Sequence, residues 1–544
     1  MKMSTTQKSA LHASEELAPL KDGSLLADRS TEVQTRPRCG RFLRDVGLTM
    51  GAEVLVLASR VVIVSIFGRW VGAAELAEYL LLSRITAWLL AGAVLGLAVG
   101  LPRYVARARG SQQQEPTTYF QAASICLILS SIVIGLIMIG NRRVFAHWLF
   151  GDSHRTTFVI ALSFMVWGLT AQGVVFGYYR GLLSMARANL LEVCTLVAVP
   201  LCVIMVLYRT RSVPLMVGAM GSLDIVISAL FAIPIFRRFT IPEPTKLAHH
   251  LKELLHYGIP RVPGDFGSAA LTALGPVIAA HYLPMAQISA FLLGLTFLMV
   301  TGYAAGPLGV VLLSKVSMML GQNRLDDVRA RLKYLVVGVL ELSVFACLQL
   351  IIFADVAVRT WVGSRYLDQM LVIRLLVVAI PPYLFYMALR STIDAASVKP
   401  LNAWNVLTAL MVYLLLIGAS VKFVPRTFLL EGIAGSMFIT LIVLGSLTLR
   451  TFRKLYDVSL PWARSAPSLL AAVGLGAVAF AFRSFQSSPM GPLQAVLLEG
   501  GLSSAYLALL TSVGSTWLQY TWRMGLGGRK SWSLPLLRLE IRYQ

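Results

Sequence analysis

Residues 68–82, GRWVGAAELAEYLLL, are answered 212 positions later by AHYLPMAQISAFLLG at 280–294. Tyr79 falls on Phe291, and at the same offset Arg103, at the end of one apolar run, falls on Lys315 at the end of another. Gly47 parallels Gly258 at an offset of 211, and Arg180 parallels Arg390 at 210. Each of those arginines is followed by a short basic loop and an asparagine, Asn189 or Asn402. Single identities are few, but the order and spacing persist, which is the sequence signature of a duplicated bundle.

What is duplicated is apolar. Of 544 residues 57% are apolar and 14% charged, against about 25% charged in a soluble domain. A soluble, disordered or disulfide-stapled chain is excluded, and lipid is left as the solvent. The 48 Lys and Arg outnumber 26 Asp and Glu. In a soluble protein that excess would suggest nucleic acid. Here it fits loops facing anionic headgroups, so no nucleic-acid partner is expected. The five cysteines, Cys39, Cys126, Cys194, Cys202 and Cys347, show no metal or disulfide spacing.

Fourteen runs are long enough to cross a bilayer: 46–68, 79–101, 118–140, 156–179, 189–208, 213–236, 257–281, 285–313, 332–354, 369–390, 402–422, 428–449, 466–484 and 492–519. They are continuous rather than alternating, which favours helices over a barrel. With the N-terminus inside, cytoplasmic loops and flanks hold 29 Lys and Arg and outer loops 11. Both termini are therefore expected in the cytoplasm of a multi-pass inner-membrane protein. The loops are short and no phosphate-binding G-x-x-x-x-G-K-[ST] occurs, which excludes an ATP-driven pump in one chain.

The expected fold is an all-α polytopic membrane protein of about 14 spans. Two six-helix bundles, 45–236 and 256–450, are related by a pseudo-twofold along the membrane normal. A polar tail at 1–44, ending in Arg36, Arg38, Arg41 and Arg44, precedes them, and a cytoplasmic linker at 237–255 joins them. Two added helices at 451–520 and a basic tail at 521–544 follow. Two facing bundles make a central cavity and can rock around it.

Ionisable residues inside the spans mark that cavity, because hydrocarbon rejects them at about 2.5–3.5 kcal/mol each. Arg60 lies deep in the first span, Arg84 and Arg374 about a turn inside the outer boundary. Asp224 and Glu341 sit near the centres of the sixth and ninth spans. Glu53 and Arg60 are seven apart and share a helix face. Arg261 and Asp265, four apart, can pair, as can Arg84 with the indole of Trp88. The guanidinium fork matches phosphate oxygens, so Arg60, Arg84 and Arg374 are candidates for a cationic lumen; Arg84 and Arg374 can alternatively snorkel to headgroups. Asp224 and Glu341 are candidates for ion coupling or for structural pairs with Arg60 or each other. Pro260, Pro263, Gly302, Gly306, Pro307, Pro381 and Pro382 punctuate the spans as hinges or simple kinks. No catalytic constellation, metal cluster or cofactor motif occurs, so a non-enzymatic protein without cofactors is expected.

Four stretches resemble one family. GRWVGAAELAEY (68–79) resembles the end of the first helix of Wzx-like polysaccharide and O-antigen flippases, in the multidrug/oligosaccharidyl-lipid/polysaccharide (MOP) exporter superfamily. GLAVGLPRYVA (96–106) resembles the end of their second helix, YGIPRVP (257–263) the start of their seventh, and LRSTIDAASVKPLNAWNVL (389–407) the stretch around helices ten and eleven. Ala77 stands where the family has glycine, and TALGPVI (272–278) lacks the aspartate that members often carry in the seventh helix. The resemblance implies a flippase that carries a polyprenyl diphosphate-linked oligosaccharide across the inner membrane by alternating access. It implies membrane lipids, a polysaccharide polymerase and glycosyltransferases as partners. The alternative is a small-molecule or drug antiporter of the same superfamily.

Overall fold

A computed structural model describes residues 39–111, 116–237, 243–322, 324–397, 399–458, 462–484 and 490–513, and no strand occurs among them. All of the tail expected at 521–544, the end of the last run, and most of the tail expected at 1–44 lie outside the described residues. The described residues from 47 onward form one compact unit.

The first sequence half comprises α1 (Cys39–Ile66), α2 (Ala73–Ala93), α3 (Leu97–Ser111), α4 (Pro116–Gly140), α5 (Arg142–Phe150), α6 (Thr156–Gly181), α7 (Met185–Val193), α8 (Val199–Leu207) and α9 (Val213–Phe236). A π-helical turn, Phe67–Val71, prolongs α1, and another, Cys194–Ala198, fuses α7 to α8 as one span. The second half follows α10 (Pro244–Gly258) with α11 (Val262–Ala279), α12 (Met285–Gly321), α13 (Leu325–Trp361), α14 (Met370–Val378), α15 (Ile380–Ala396), α16 (Leu401–Phe423) and α17 (Leu429–Tyr456). The added pair is α18 (Trp462–Ser484) and α19 (Pro492–Val513).

Thirteen stretches of the described residues are long and apolar enough to span a bilayer. In lipid only such self-satisfied backbones are stable, and the protein is a multi-pass membrane protein. The thirteen answer thirteen of the fourteen expected runs. The exception is 257–281, where a 3₁₀ turn at Ile259–Arg261 is followed by α11, only 18 residues long and interrupted by Pro276. Glycines dilute its apolarity and serve its packing. A Cβ on Gly264 would lie 2.7 Å from that of Ala403, and one on Gly275 2.2 Å from the Tyr413 hydroxyl, so α11 lies close on α16.

The expected linker at 237–255 is largely helical as α10, whose apolar side docks on α3 and α4. The second run also departs from expectation. It starts at Ala73 and ends at Ala93, and α3 sets off separately after Leu95 and Gly96, both at positive φ. A Cβ on Gly96 would lie 2.4 Å from the Gly258 carbonyl oxygen, so glycine is required there twice, for its backbone and for its lack of a side chain.

Within the first half, α6 and α9 pack at backbone distance. A Cβ on Gly168 would lie 2.5 Å from the Gly221 oxygen, and one on Gly221 2.5 Å from the Phe164 carbonyl. In the second half α12 and α13 each run 37 residues, about 55 Å at 1.5 Å per residue, and so extend beyond the ~30 Å hydrocarbon layer. One end of the bundle carries Arg103, Lys252, Lys315 and Arg390 and is the basic end; the far end lies opposite.

Candidate functional site

The site lies on the seam between the sequence halves and is built first by α1, α2 and α12. Arg60 is exposed on α1, and its guanidinium stands 4.9 Å from the ring centre of Tyr303 on α12. Val56, Ser59, Ile63 and Phe67 turn the other side of α1 into the core, which leaves Arg60 facing the second half. Arg84 on α2 is half-buried and reaches the same helix, its Nη2 donating to Thr296 Oγ1 at 3.4 Å. Arg84 Nε is buried without a hydrogen-bond partner among the described residues.

Thr296 stands 212 positions after Arg84, the offset that relates the two repeats. Arg84 and Thr296 thus hold α2 against α12, across the two sequence halves. Tyr303 and Tyr383, on α12 and α15, lie near Arg84, and the Arg60 charge reaches it. Tyr79 stacks on Phe67 at 4.6 Å and feels the Arg60 charge. Glu53, exposed on α1, acts with Arg60 and Arg180 on Glu192 of α7. The seam therefore holds two arginines among tyrosines, with two acids on the first-half side.

The other expected residues lie elsewhere. Arg374 is half-buried on α14, which packs on α12, α13 and α17, and its Nε has no partner among the described residues. Asp224 is buried between α6 and α9 against Gly168, with Oδ1 unpartnered among the described residues. Glu341 is fully buried and accepts a hydrogen bond from Ser468 of α18, while its carbonyl accepts one from Tyr506 of α19. It fastens the added helices to α13, together with the Asp355–Arg483 ion pair and Phe345 stacked on Tyr506 at 4.1 Å. Arg261 does not meet Asp265: the 3₁₀ turn aims it backwards, where it donates to the Tyr257 carbonyl at 2.8 Å and covers that ring at 3.8 Å. Asp265 instead feels the Arg390 charge first and Arg261 second. Trp88 likewise leaves Arg84 and packs on Phe266 at 5.2 Å.

Glu192, Tyr303, Tyr383 and Thr296 were not singled out by sequence. For Thr296 the signal existed, since adding the repeat offset to Arg84 finds it. Tyrosines in apolar helices carry no such mark.

At the far end the seam is shut. Ser65 Oγ donates to the Trp361 carbonyl at 2.7 Å, Trp361 Nε1 donates to the Val61 carbonyl at 2.7 Å, and Arg69 donates to the Thr360 and Trp361 carbonyls. A Cβ on Gly68 would lie 2.7 Å from that of Val362. Nearby, Gly151, in the left-handed conformation at the end of α5, abuts Ala280 and His281. Among the described residues no group of three or more His, Cys, Asp or Glu is placed to hold a metal ion.

The architecture is thus an all-α polytopic bundle with the candidate site on the seam between the sequence halves. Residues 49–209 match the MatE family, and no curated protein matches the chain. Among solved structures, the lipid II flippase MurJ in its inward closed conformation is similar, at 13% identity over 86% of this chain and 98% of that one, with a TM-score of 0.66. The inward-facing conformation of a multidrug resistance MATE family transporter of the MOP superfamily is similar at 17% identity, 74% and 94% coverage and a TM-score of 0.58. The eukaryotic MATE transporter AtDTX14 is similar at 16% identity, 77% and 98% coverage and a TM-score of 0.54.

Proposed function

We propose that the protein is a MOP-type transporter that flips a polyprenyl diphosphate-linked oligosaccharide across the inner membrane for surface polysaccharide assembly. The observation that carries this reading is the pair of arginines at the seam. Arg60 has an aromatic ring as its neighbour across the seam and Arg84 a neutral hydroxyl. A second, half-buried cation beside the first is stabilised when an anion arrives, and a guanidinium fork suits a diphosphate. The glycan head would travel along the seam and the polyprenyl tail would stay in lipid. Alternating access would exchange the far-end closure at Trp361 for a closure at the basic end. Glycosyltransferases would supply the substrate and a polymerase would receive it; both termini are proposed to be cytoplasmic. Arg374 is proposed as a further cation on the path, with Asp224, Glu341, Arg261 and Asp265 holding the bundles.

One observation favours a second reading, a small-molecule antiporter. Glu53 and Glu192 lie near each other on the first-half wall, where a cation could bind, and it is this half that matches MatE. The two readings part on Arg60→Ala. A flippase should insert at normal abundance and accumulate lipid-linked glycan on the cytoplasmic leaflet, with transport reduced tenfold to about a hundredfold, the equivalent of about 1.5–3 kcal/mol for one charged hydrogen-bonding group. An antiporter should keep glycan delivery intact and lose no more than twofold in efflux of a cationic dye.

A further inference from the structure

Trp361, at the end of α13, touches both helices that carry the Arg60 contact. Its indole Nε1 donates to the Val61 carbonyl of α1 at 2.7 Å, and its ring meets Phe297 of α12 edge-on at 5.3 Å. Val61 follows Arg60 in the chain, and Phe297 follows Thr296, which accepts from Arg84. Phe297 also lies six residues nearer the far end than Tyr303, the ring beside Arg60, about 9 Å along α12. Trp361 therefore closes the seam on the far-end side of the arginines, through the residues next to their contacts.

A helix moves as a rod, so Arg60 cannot shift without carrying the Val61 carbonyl, nor Thr296 without Phe297. Arg60 on Tyr303 and Arg84 on Thr296 tie α1 and α2 to α12. An anion shared by the two guanidinium groups replaces both ties with charge-assisted bonds. The closure then rests on the end of α13, held by Ser65, Arg69 and the Trp361 indole. Ser65 and Arg69 bond only carbonyls there. The Trp361 indole bonds α1 and packs on α12 as well.

We propose that Trp361 is a latch that couples the arginine pair to the far-end closure, released when an anionic head binds Arg60 and Arg84. The coupling deepens the transport reading above and rests on it. Such coupling is reciprocal: if the anion loosens the latch, loosening the latch raises affinity for the anion.

The test is the far-end separation of the two halves in nanodiscs. It is measured by double electron–electron resonance between spin labels at Thr210→Cys and Thr427→Cys, with the five native cysteines replaced by alanine. Both positions are exposed, beyond the far ends of α8 and α16. Farnesyl diphosphate is the anionic probe and farnesol the neutral one. The diphosphate should shift wild type toward the longer separation, and farnesol should not. Trp361→Phe keeps a ring against Phe297 and removes the N–H donor. Without ligand it should raise the ratio of long to short separation about threefold to tenfold, the equivalent of one hydrogen bond, and tighten farnesyl diphosphate binding by up to the same factor. Phe297→Leu keeps the N–H bond, loosens the ring contact and should shift the ratio the same way. Wild-type separations in both variants would overturn the latch and leave the transport reading standing. A longer separation with no gain in farnesyl diphosphate affinity would overturn the coupling. If wild type instead binds the two probes equally, the transport reading itself fails and takes the coupling with it.

Discussion

Two of the contacts between the halves occupy corresponding positions under the sequence offset: α2 against α11, and α12 against α1. The first is sealed by apolar contact. Trp88 lies on Phe266 at 5.2 Å, the same ring faces Gly92, and Gly96 meets the backbone of Gly258. The second carries, at mid-depth, a cation over a phenol ring, Arg60 over Tyr303 at 4.9 Å. A duplicated fold would let both seams be alike. That one is aromatic and the other charged is the difference on which the proposed function rests.

Prying the sealed seam open should have the largest effect on stability. Gly96→Val combines a left-handed backbone position with a carbonyl 2.4 Å from the new Cβ. It should lower stability by about 1–3 kcal/mol from backbone strain alone, read as a fall in the thermal midpoint of the detergent-solubilised protein. Phe266→Ala removes the ring from Trp88 and should cost less, about 0.5–1.5 kcal/mol for the aromatic pair, with glycan transport within threefold of wild type. A loss of transport matching that of Arg60→Ala would remove the distinction between the seams.

The smallest effect belongs to α10, the helix that links the halves at the basic end. His250 is buried there, its ring 4.1 Å from that of Tyr119 and Nδ1 3.8 Å from Glu253. Tyr119 donates to the same carboxylate at 2.7 Å. Burial pushes His250 below its ordinary value, with His249 adding to the shift and Glu253 opposing it. The undocked helix therefore binds the proton more tightly than the docked one. Docking should be complete above about pH 6.5 and weaken as pH falls below it. Hydrogen exchange of 244–258 should rise between pH 6.5 and 5 in wild type and stay flat in His250→Gln.

Much of the architecture was legible in the sequence, because lipid imposes one requirement, long apolar helices, that composition satisfies openly. The offset between 68–82 and 280–294 is also the separation of Arg84 and Thr296, which touch. Arg60 could be singled out because a charge in an apolar run has few tolerable places. Partners across helices were not legible. Arg261 looked toward Asp265 on a regular helix, but Pro260 and Pro263 bring a 3₁₀ turn that aims it at Tyr257. Arg84 and Trp88 share a helix face in sequence, yet each takes a partner from the second half. Glu341 looked central and instead fastens the two added helices, a contact 127 residues away in the chain.

The central claim is that the charged seam recognises an anionic head. It is tested most directly by comparing the affinity of the purified protein for a polyprenyl diphosphate with that for the neutral polyprenol of the same length. The account predicts that wild type prefers the diphosphate at least tenfold, the equivalent of about 1.4 kcal/mol, and that Arg60→Ala and Arg84→Ala together erase the preference while leaving polyprenol binding unchanged. Equal affinity of wild type for the two lipids would contradict it.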